Sequence, residues 1–341
     1  MSFLLTVMKV KPYLVTSARY AISVSMIEAW NNCRIRGNEP EEPDIVASLV
    51  LNGTKIIENE WRNVFDSLGI RIVVTGIYCH QTPKVNFSGM KGNSCELGDL
   101  LWCHVHSDID GNVIRNAILY QAKKSAVQPY KLRGNDKDQL KLYSTWPAFT
   151  YVTSGSLNGQ TRHVKPSAPR RGAQYLLIDD RPPERPESGI LGSPCTYPIG
   201  SCIPSNPIMD HCDLGLEIVH SLELLSGDPF DDSKTAIKEN GWSRVVWDIL
   251  KSSAEKAFRR ANSKYGKQPR TTGASPSEID GCFYATPPSI RPSRRSFLQE
   301  LVDFSFSNND LPPNRHEGQW NDEGGPGVSV LLLETYESGE D

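Results

Sequence analysis

The stretch Glu96-Leu97-Gly98-Asp99-Leu100-Leu101-Trp102 decides the fold, together with its sequel Ile118-Leu119-Tyr120-Gln121-Ala122-Lys123. Both runs are apolar at most positions, which predicts two β-strands. Asp110-Gly111 lies between them and is typical of a tight hairpin turn, because Asp and Gly tolerate the positive φ that such turns require. In a hairpin folded about this turn, residues whose numbers sum to about 221 face each other.

This pairing brings Asp99 next to Gln121, Ala122 and Lys123 at the open end of the hairpin. Gln121 and Lys123 are two residues apart, so their side chains point to the same face of the strand. A carboxylate, an amide oxygen and an ammonium group therefore converge from two strands. We expect this arrangement to hold a divalent metal ion and to polarise a phosphate beside it.

Composition limits the classes of protein to consider. The chain has 341 residues, 38% hydrophobic and 23% charged, with a formal net charge of −3. These values are typical of a soluble globular protein, and any nucleic-acid site must be a local basic patch. We find no apolar run of the ~18 residues that a membrane-spanning helix needs, and no basic residue precedes the short apolar run at the N-terminus. We therefore expect a cytoplasmic protein with no membrane partner.

The eight cysteines include no CxxC pair, and a chain of this size without a secretion signal is expected to keep its cysteines reduced. Four residues in one segment are candidate zinc ligands: Cys195, Cys202, His211 and Cys212. Their spacing matches no usual zinc pattern, and adjacent ligands are awkward to accommodate. We favour loop and core positions for them and leave zinc open.

Hydrophobic periodicity divides the chain into three regions. Residues 1–43 form an N-terminal helical extension, with a helix predicted at residues 22–33, that ends in a Pro- and acid-rich break. Residues 44–178 form an α/β core, in which Asp44 is a predicted N-cap and a helix with an apolar face (residues 55–68) precedes a strand rich in branched residues (residues 70–78). The polar composition of residues 84–94 predicts a loop. Residues 179–341 form a mixed helical region with a late strand at residues 327–334, which we expect to pack on the core.

The order of elements in the core resembles the PD-(D/E)XK, or restriction-endonuclease-like, nuclease superfamily. The matching residues are a helix glutamate (Glu58), an aspartate that opens a strand (Asp99), and Gln121-x-Lys123 on the partner strand. The resemblance implies an α/β fold with a mixed β-sheet flanked by helices. It implies catalytic roles for Asp99, Gln121, Lys123 and Glu58.

In that family the aspartate and the acidic or amide residue bind Mg²⁺, and the lysine orients or activates the attacking water. The resemblance implies Mg²⁺ as cofactor here, with Mn²⁺ as a substitute, held by Asp99, Gln121, the Ala122 backbone carbonyl and Glu58. Glu96, three residues before Asp99, is a further expected ligand. Because Gln121 is neutral where an acid is commoner, affinity for the metal depends more on Asp99.

Glu58 and Glu60 compete for the position of the helix glutamate. Glu58 lies eleven residues before Gly69, the spacing often found in the resembling family, and we prefer it for that reason. By helical angle the two residues flank the apolar face almost equally, so periodicity does not decide between them.

Residues downstream of the hairpin are candidates for contact with DNA. Gln139-x-x-x-Tyr143 resembles a motif of the RecB-like branch, in which the helix lies beside the site and contacts DNA. Lys124, Lys131 and Arg133 form a basic cluster after the hairpin. Such clusters contact the phosphate backbone and add affinity without sequence information.

We therefore predict a Mg²⁺-dependent DNA endonuclease that hydrolyses phosphodiester bonds. Analogy with the family suggests restriction or anti-phage defence as its biological setting. Its expected partners are DNA, a regulatory or helicase/ATPase protein, and further copies of the chain. One alternative is a catalytically inactive nuclease-fold module that binds nucleic acid or a partner protein in a multi-subunit system. Another is an unrelated α/β scaffold subunit.

Overall fold

The computed structural model describes residues 3–79, 83–152, 156–165, 172–183, 198–261, 282–285, 297–306 and 327–337. Its helices are α1 (Phe3–Ile35), α2 (Glu42–Ser48), α3 (Thr54–Asp66), α4 (Asp136–Thr145), α5 (Leu214–Leu222), α6 (Ser233–Glu239), α7 (Trp242–Ala261) and α8 (Phe297–Phe306). Its strands are β1 (Ile70–Tyr78), β2 (Lys84–Phe87), β3 (Cys95–Glu96), β4 (Leu100–Ser107), β5 (Val113–Ser125), β6 (Phe149–Tyr151), β7 (Thr161–Arg162), β8 (Ala173–Asp179), β9 (Ile199–Cys202), β10 (Cys212–Asp213), β11 (Asp228–Pro229), β12 (Cys282–Ala285) and β13 (Ser329–Glu337).

One large mixed sheet organises the molecule. Its strand order is β10-β9-β8-β5-β4-β13-β1-β12, and the short β11 pairs with β5. β5 runs parallel to β8, and β13 runs parallel to β4, whereas the other neighbours are antiparallel. Helices flank this sheet. The predicted α/β class, with a mixed sheet between helices, is confirmed.

The predicted hairpin is confirmed as β4 and β5. Leu100 lies opposite Tyr120 and Ser107 lies opposite Val113, within one residue of the predicted register. The turn closes through a hydrogen bond from the Asp108 N–H to the Asn112 carbonyl, 3.0 Å long. Gly111 has φ +91°, a conformation that L side chains rarely adopt, so the turn requires the glycine.

Alternating side chains of this hairpin pack on two separate cores. Leu100, Trp102 and Tyr120 lie in the core shared with α1, α2, α3 and α5. Leu101 and Leu119 point to the other face, where α4, α7, α8 and a second small sheet cover them. Both faces are apolar because both are covered, and each large buried side chain contributes about 1.5–3 kcal/mol to folding.

The late strand predicted at residues 327–334 is β13, and it lies in the middle of the sheet. It pairs antiparallel with β1 over Ile70–Ile77 and parallel with β4 over Leu100–Ser107. Strands from both sides of residue 178 therefore belong to one sheet. The C-terminal region contributes to the interior of the predicted 44–178 core and does more than pack on it.

A small second sheet was not predicted. Its order is β3-β2-β6-β7, and it covers part of the hairpin face opposite α1. The polar composition of segment 84–94 predicted a loop, but this segment begins with strand β2. In β2 only Val85 and Phe87 are buried, so the strand has two apolar positions and gives too short a pattern for periodicity to detect.

The helical region before β1 also differs in detail from the prediction. Asp44 was predicted as an N-cap, but α2 starts at Glu42 with Glu41 as its N-cap, and the Asp44 side chain accepts from the Glu41 N–H at 2.9 Å. Upstream, α1 extends well beyond the helical segment anticipated at residues 22–33. Although α1 has 33 residues, neither it nor any other helix in the described ranges is long and apolar enough to cross a membrane.

Candidate functional site

Asp99 lies at the junction of three strands, just before β4. Its N–H donates to the Tyr120 carbonyl on β5 at 2.8 Å, and its own carbonyl accepts from the Ser329 N–H of β13 at 3.1 Å. The Ser329 hydroxyl in turn donates to the Cys79 carbonyl at 2.7 Å, just after β1. The backbone of Asp99 is therefore held by hydrogen bonds to residues that are remote in sequence.

The residues before Asp99 are packed too tightly to move freely. The Tyr143 hydroxyl on α4 donates to the Leu97 carbonyl at 2.7 Å. A Cβ atom at Gly98 would lie 2.6 Å from Leu119 Cδ1 and 3.0 Å from the Tyr143 hydroxyl. Glycine is required here by close approach, and the tight packing directs the Asp99 side chain toward β5.

The side chains predicted to converge do so. Asp99 Oδ2 accepts from the Ala122 N–H at 2.7 Å and from the Gln121 side-chain amide. Gln121 Oε1 accepts from Gln139 Nε2 on α4 at 2.5 Å. Lys123 follows on the same face of β5. Asp99, Gln121 and Lys123 therefore lie together at one end of the hairpin, as predicted from sequence.

The lysine is charged and oriented by a carboxylate on α4. Lys123 Nζ donates to Asp136 Oδ1 at 2.7 Å. Burial would lower the pKa of Lys123, but Asp136, Asp99 and Glu42 outweigh that effect and raise it above its usual value. Lys123 is therefore an ammonium group at neutral pH, which suits it to stabilising negative charge and not to accepting a proton.

The Asp99 carboxyl is electrostatically unusual. Burial raises its pKa, the neighbouring carboxylates Glu96 and Glu42 raise it further, and the Ala122 N–H and Lys123 only partly compensate, so that its pKa is about 7. A bound cation would reduce the repulsion among the negative charges around such a partly buried carboxyl. Glu96 therefore lies close enough for its charge to act on Asp99, and its role as a metal ligand stays a prediction.

Glu58 is paired elsewhere. It is 3% exposed on α3 and accepts a hydrogen bond from Arg62, one turn later on the same helix. Its competitor Glu60 accepts from the Tyr13 hydroxyl at 2.7 Å. The neighbouring carboxylates that raise the pKa of Asp99 are Glu96 and Glu42. A metal-binding role for Glu58 stays a prediction.

Glu42 is a site residue that the sequence reasoning missed. It stands in the first turn of α2, and its Oε1 accepts from the Lys124 N–H at the end of β5, 3.2 Å away. In sequence it belongs to the acidic, Pro-containing run that indicated only a break. No local pattern marks it, because its approach to the hairpin depends on how α2 packs against the sheet.

The residues predicted to contact DNA divide into two groups. Gln139 and Tyr143 are 5% and 1% exposed and face the hairpin, so the prediction that they contact DNA directly is wrong for both. Gln139 instead donates to the Gln121 side chain, and Tyr143 donates to the Leu97 carbonyl. Lys124 is also engaged, since its ammonium group lies 2.7 Å from the Pro40 carbonyl and 2.8 Å from Asp180.

Lys131 and Arg133 differ from this group because both side chains are exposed. They lie in the connection between β5 and α4, shortly before Asp136, the first residue of α4 and the partner of Lys123. Of the basic residues predicted for DNA contact, these two are accessible to a phosphate backbone.

The four candidate zinc ligands do not come together among the residues described. Cys195 lies outside the described residues. Cys212 pairs with Ser201 across β9 and β10, so the adjacent Cys202 points to the opposite face of the sheet. Cys202 is buried in the apolar core on that side. His211 and Cys212 remain as a pair, with other neighbours considered below.

The donor atoms around Asp99 fit a hard divalent cation. The Ala122 N–H points to Asp99, and because the N–H and C=O of a strand residue point the same way, the Ala122 carbonyl is directed to that side as well. A small cleft lined by Pro43, Gly98 and Gly327 opens at Asp99. Carboxylate, carbonyl and amide oxygens are the ligands that Mg²⁺ and Mn²⁺ prefer.

Neither a protein-family model, nor a curated protein, nor a solved structure matches the chain.

Proposed function

We propose that the chain is a Mg²⁺-dependent DNA endonuclease with a restriction-endonuclease-like core. The observation that carries the proposal is the convergence of Asp99, Gln121 and Lys123 at the open end of the β4–β5 hairpin. The raised pKa of Asp99, which results from burial and neighbouring carboxylates, supports it. The order α3, β1, β4–β5 hairpin and α4 supports it, because the resembling family has these elements in this order. In this chain β2 and β3 intervene in sequence, and β13 lies between β1 and β4 in the sheet. The chain departs from that pattern at Glu58, which is paired with Arg62.

Asp99, Gln121 and the Ala122 carbonyl would hold the metal ion, with Glu96 and Glu42 adding negative charge nearby. A bound Mg²⁺ would neutralise charge on a phosphate and lower the pKa of a coordinated water. Gln121 presents its amide nitrogen to Asp99, so its amide group has to turn over to offer Oε1. Gln139 can turn with it and keep the mutual hydrogen bond with donor and acceptor exchanged.

Lys123 supplies the positive charge beside the scissile phosphate. Its ammonium group is held by Asp136 and stays protonated, so it stabilises the negative charge that develops on the phosphate oxygens. Asp136 restrains the lysine side chain, and Gln139 restrains Gln121. Helix α4 is therefore the positioning element of the proposed site, which explains why its Gln-x-x-x-Tyr residues are buried.

Restriction or anti-phage defence is the setting we propose, by analogy with the family alone. A partner protein that releases the activity is expected in such a setting, because unregulated cleavage would damage the DNA of the cell. The helicase/ATPase class and self-association remain proposals of the same kind.

Cleavage of DNA tests the proposal directly. Supercoiled plasmid and single-stranded oligonucleotides are incubated with the full chain and Mg²⁺ or Mn²⁺, beside Asp99→Ala and Lys123→Ala. We expect the wild type to cut, Asp99→Ala to be inactive and Lys123→Ala to be slower by about 100-fold or more. Matched controls are Asp110→Ala in the hairpin turn and Lys137→Ala on the exposed side of α4, which should cut like the wild type.

The same variants separate a nuclease from an inactive module. Mn²⁺ binding, followed by the relaxation of water protons, should be lost in Asp99→Ala and retained in Lys123→Ala. Metal binding without cleavage of DNA or RNA, in the presence of plausible partner proteins, would favour the non-catalytic module. Equal cleavage by wild type and both site variants would refute the proposed site.

DNA binding should depend on the two exposed basic residues next to the site. Each phosphate contact adds about 0.9 to the slope of log affinity against log salt concentration. The double variant Lys131→Ala/Arg133→Ala should therefore bind a duplex more weakly and reduce that slope by about 2. Lys238→Ala, an exposed lysine on α6, is the control, and an equal effect of this variant would contradict a local binding surface.

A further inference from the structure

A second group of metal-binding side chains lies at the far edge of the large sheet. His211 ends the connection into β10 and Cys212 is the first residue of that strand, and α5 starts directly after it at Leu214. This short link turns the first part of α5 back over β10. Glu217 and His220 are three residues apart on α5, so they project from the same side of the helix.

The four side chains meet around one oxygen atom. Glu217 Oε2 lies 3.2 Å from Cys212 Sγ, 3.4 Å from His211 Nε2 and 3.9 Å from His220 Nδ1. The ligand atoms of His211, Cys212 and Glu217 all lie within 4.8 Å of one another. Zinc–ligand bonds of about 2.0–2.3 Å at tetrahedral angles place ligand atoms about 3.3–3.6 Å apart.

Two of the three contacts to Glu217 thus lie within a few tenths of an ångström of a zinc site. The imidazole of His220 lies outside the group of ligand atoms that are within 4.8 Å of one another, so it has to move by more than about 1 Å to complete the site. A side chain that is 27% exposed has room for such a movement.

The other oxygen of Glu217 is held in place by a buried polar network. Glu217 Oε1 accepts from Gln174 Nε2 at 2.6 Å and from the Ser226 hydroxyl. Gln174 is oriented by the Ser201 hydroxyl, which donates to its amide oxygen. Glu217 itself is 2% exposed. Fixing one oxygen in this way directs the other toward the Cys and His side chains, which is how metal ligands are oriented by their neighbours.

We infer that His211, Cys212, Glu217 and His220 form a structural Zn²⁺ site, separate from the all-oxygen site at Asp99. One sulfur, two imidazole nitrogens and one carboxylate oxygen suit Zn²⁺ and not Mg²⁺. One thiolate and one carboxylate balance the two positive charges of the ion, so the site is electroneutral. On binding, the Cys212 thiol proton is released to solvent, and both histidines ligate as neutral imidazoles.

A zinc ion there would tie α5 to the edge of the sheet. The same helix is anchored on its other side by its N-cap, Asp213, which accepts from Arg19 of α1 at 2.7 and 3.0 Å. Zinc binding should therefore stabilise the packing of α1 and α5 on the sheet, and binding to the folded state alone raises the apparent stability.

Cobalt substitution and metal analysis test the site in the full-length protein. The chain is stripped with a chelator and titrated with Co²⁺ alone and with Zn²⁺ alone. We expect about one tightly held Zn²⁺ per chain and, with Co²⁺, a near-ultraviolet thiolate-to-metal band with the visible bands of tetrahedral cobalt. Cys212→Ser should abolish the thiolate band, and His220→Ala should weaken zinc affinity by about tenfold or more.

Two controls separate this site from general effects and from the Asp99 site. His163→Ala, an exposed histidine on another part of the surface, should bind zinc like the wild type. Asp99→Ala should also keep the thiolate band, so failure of the nuclease proposal does not affect this result. Circular dichroism establishes that Cys212→Ser, at a half-buried position, remains folded.

The inference is overturned if Co²⁺ gives no thiolate band with the wild type, or if Cys212→Ser binds zinc as tightly as the wild type. An unchanged zinc affinity in His220→Ala would overturn the four-ligand site.

Discussion

At the scale of single residues, the state of the Asp99 carboxyl is set by groups from several parts of the chain. Burial, Glu96 and Glu42 raise its pKa to about 7, against the N–H of Ala122 and the charge of Lys123. Glu96 and the hairpin residues are close in sequence, but Glu42 belongs to α2. Asp99, the acid that most resembles a metal ligand, is therefore a group whose negative charge the folded protein does not fully compensate.

The raised pKa predicts how stability depends on pH in the metal-free protein. The folded state holds the Asp99 proton more tightly than the unfolded chain, whose ordinary value is 3.8. The stabilisation is full below that value and is lost as the pH rises through about 7. Between pH about 4 and about 7, the wild type should lose more free energy of unfolding than Asp99→Asn does.

Urea denaturation in the presence of a chelator measures this difference. Asp110→Asn, in the exposed turn of the same hairpin, should keep the pH dependence of the wild type. Mg²⁺ added at the higher pH should restore stability to the wild type only, because the ion binds the folded state. Parallel pH profiles for wild type and Asp99→Asn would show that Asp99 does not titrate in this range.

At the scale of elements, the site is an arrangement of one hairpin and one helix. The β4–β5 hairpin carries Asp99, Gln121 and Lys123, while α4 restrains this region through Gln139, Tyr143 and Asp136. Gly98 allows α4 and β5 to approach closely enough for these contacts. The buried face of α4 therefore positions the hairpin, and Gln139 and Tyr143 on that face are not exposed to DNA.

Gly98→Ala tests this close approach. The new methyl group would lie 2.6 Å from Leu119 Cδ1, so the hairpin or α4 has to shift. We expect DNA cleavage to fall by about 10- to 100-fold, because small displacements of reacting groups are costly. The free energy of unfolding should fall by about 1–3 kcal/mol, the usual effect of overpacking.

Gly241→Ala is the matched control for this substitution. A Cβ there meets only the Glu239 carbonyl, at an ordinary distance of 3.7 Å. Both cleavage and stability should stay close to those of the wild type. A Gly98→Ala protein that cleaves DNA normally would show that the α4 contacts do not position the site.

At the scale of the whole molecule, the C-terminal strand joins the two cores. β13 has Leu332 in the core next to α7 and Leu333 in the core next to α1. It also separates β1 from β4 and fixes the backbone of Asp99 through Ser329. The arrangement of residues before position 150 thus depends on a strand at residues 329–337.

Truncating either leucine should destabilise the whole molecule. Leu332→Ala and Leu333→Ala should each lower the free energy of unfolding by about 2–5 kcal/mol, because each leaves a cavity in a packed core. The loss should appear in a single cooperative transition observed by fluorescence and by circular dichroism. Ile237→Ala, 54% exposed on α6, should change stability little.

Two separable transitions, with only one of them affected by Leu333→Ala, would contradict this integrated architecture. They would instead support a C-terminal unit that folds independently of the hairpin and its site.

The local pattern of the chain was sufficient to predict the hairpin and the convergence of Asp99, Gln121 and Lys123. A turn, two short strands and the alternation of side chains depend on residues that are near neighbours in sequence, so their geometry follows from backbone chemistry alone. The α/β class followed in the same way from the periodicity of helices and strands.

The tertiary structure alone decided which distant groups reach the site. Three features result from long-range packing. They are the charge of Glu42 close to Asp99, the burial of Gln139 and Tyr143, and the central position of β13. The gathering of Glu217 and His220 around Cys212 has the same origin. Such contacts form when separate elements bury their apolar faces together, and no spacing along the chain encodes which polar side chains that burial brings within hydrogen-bonding distance.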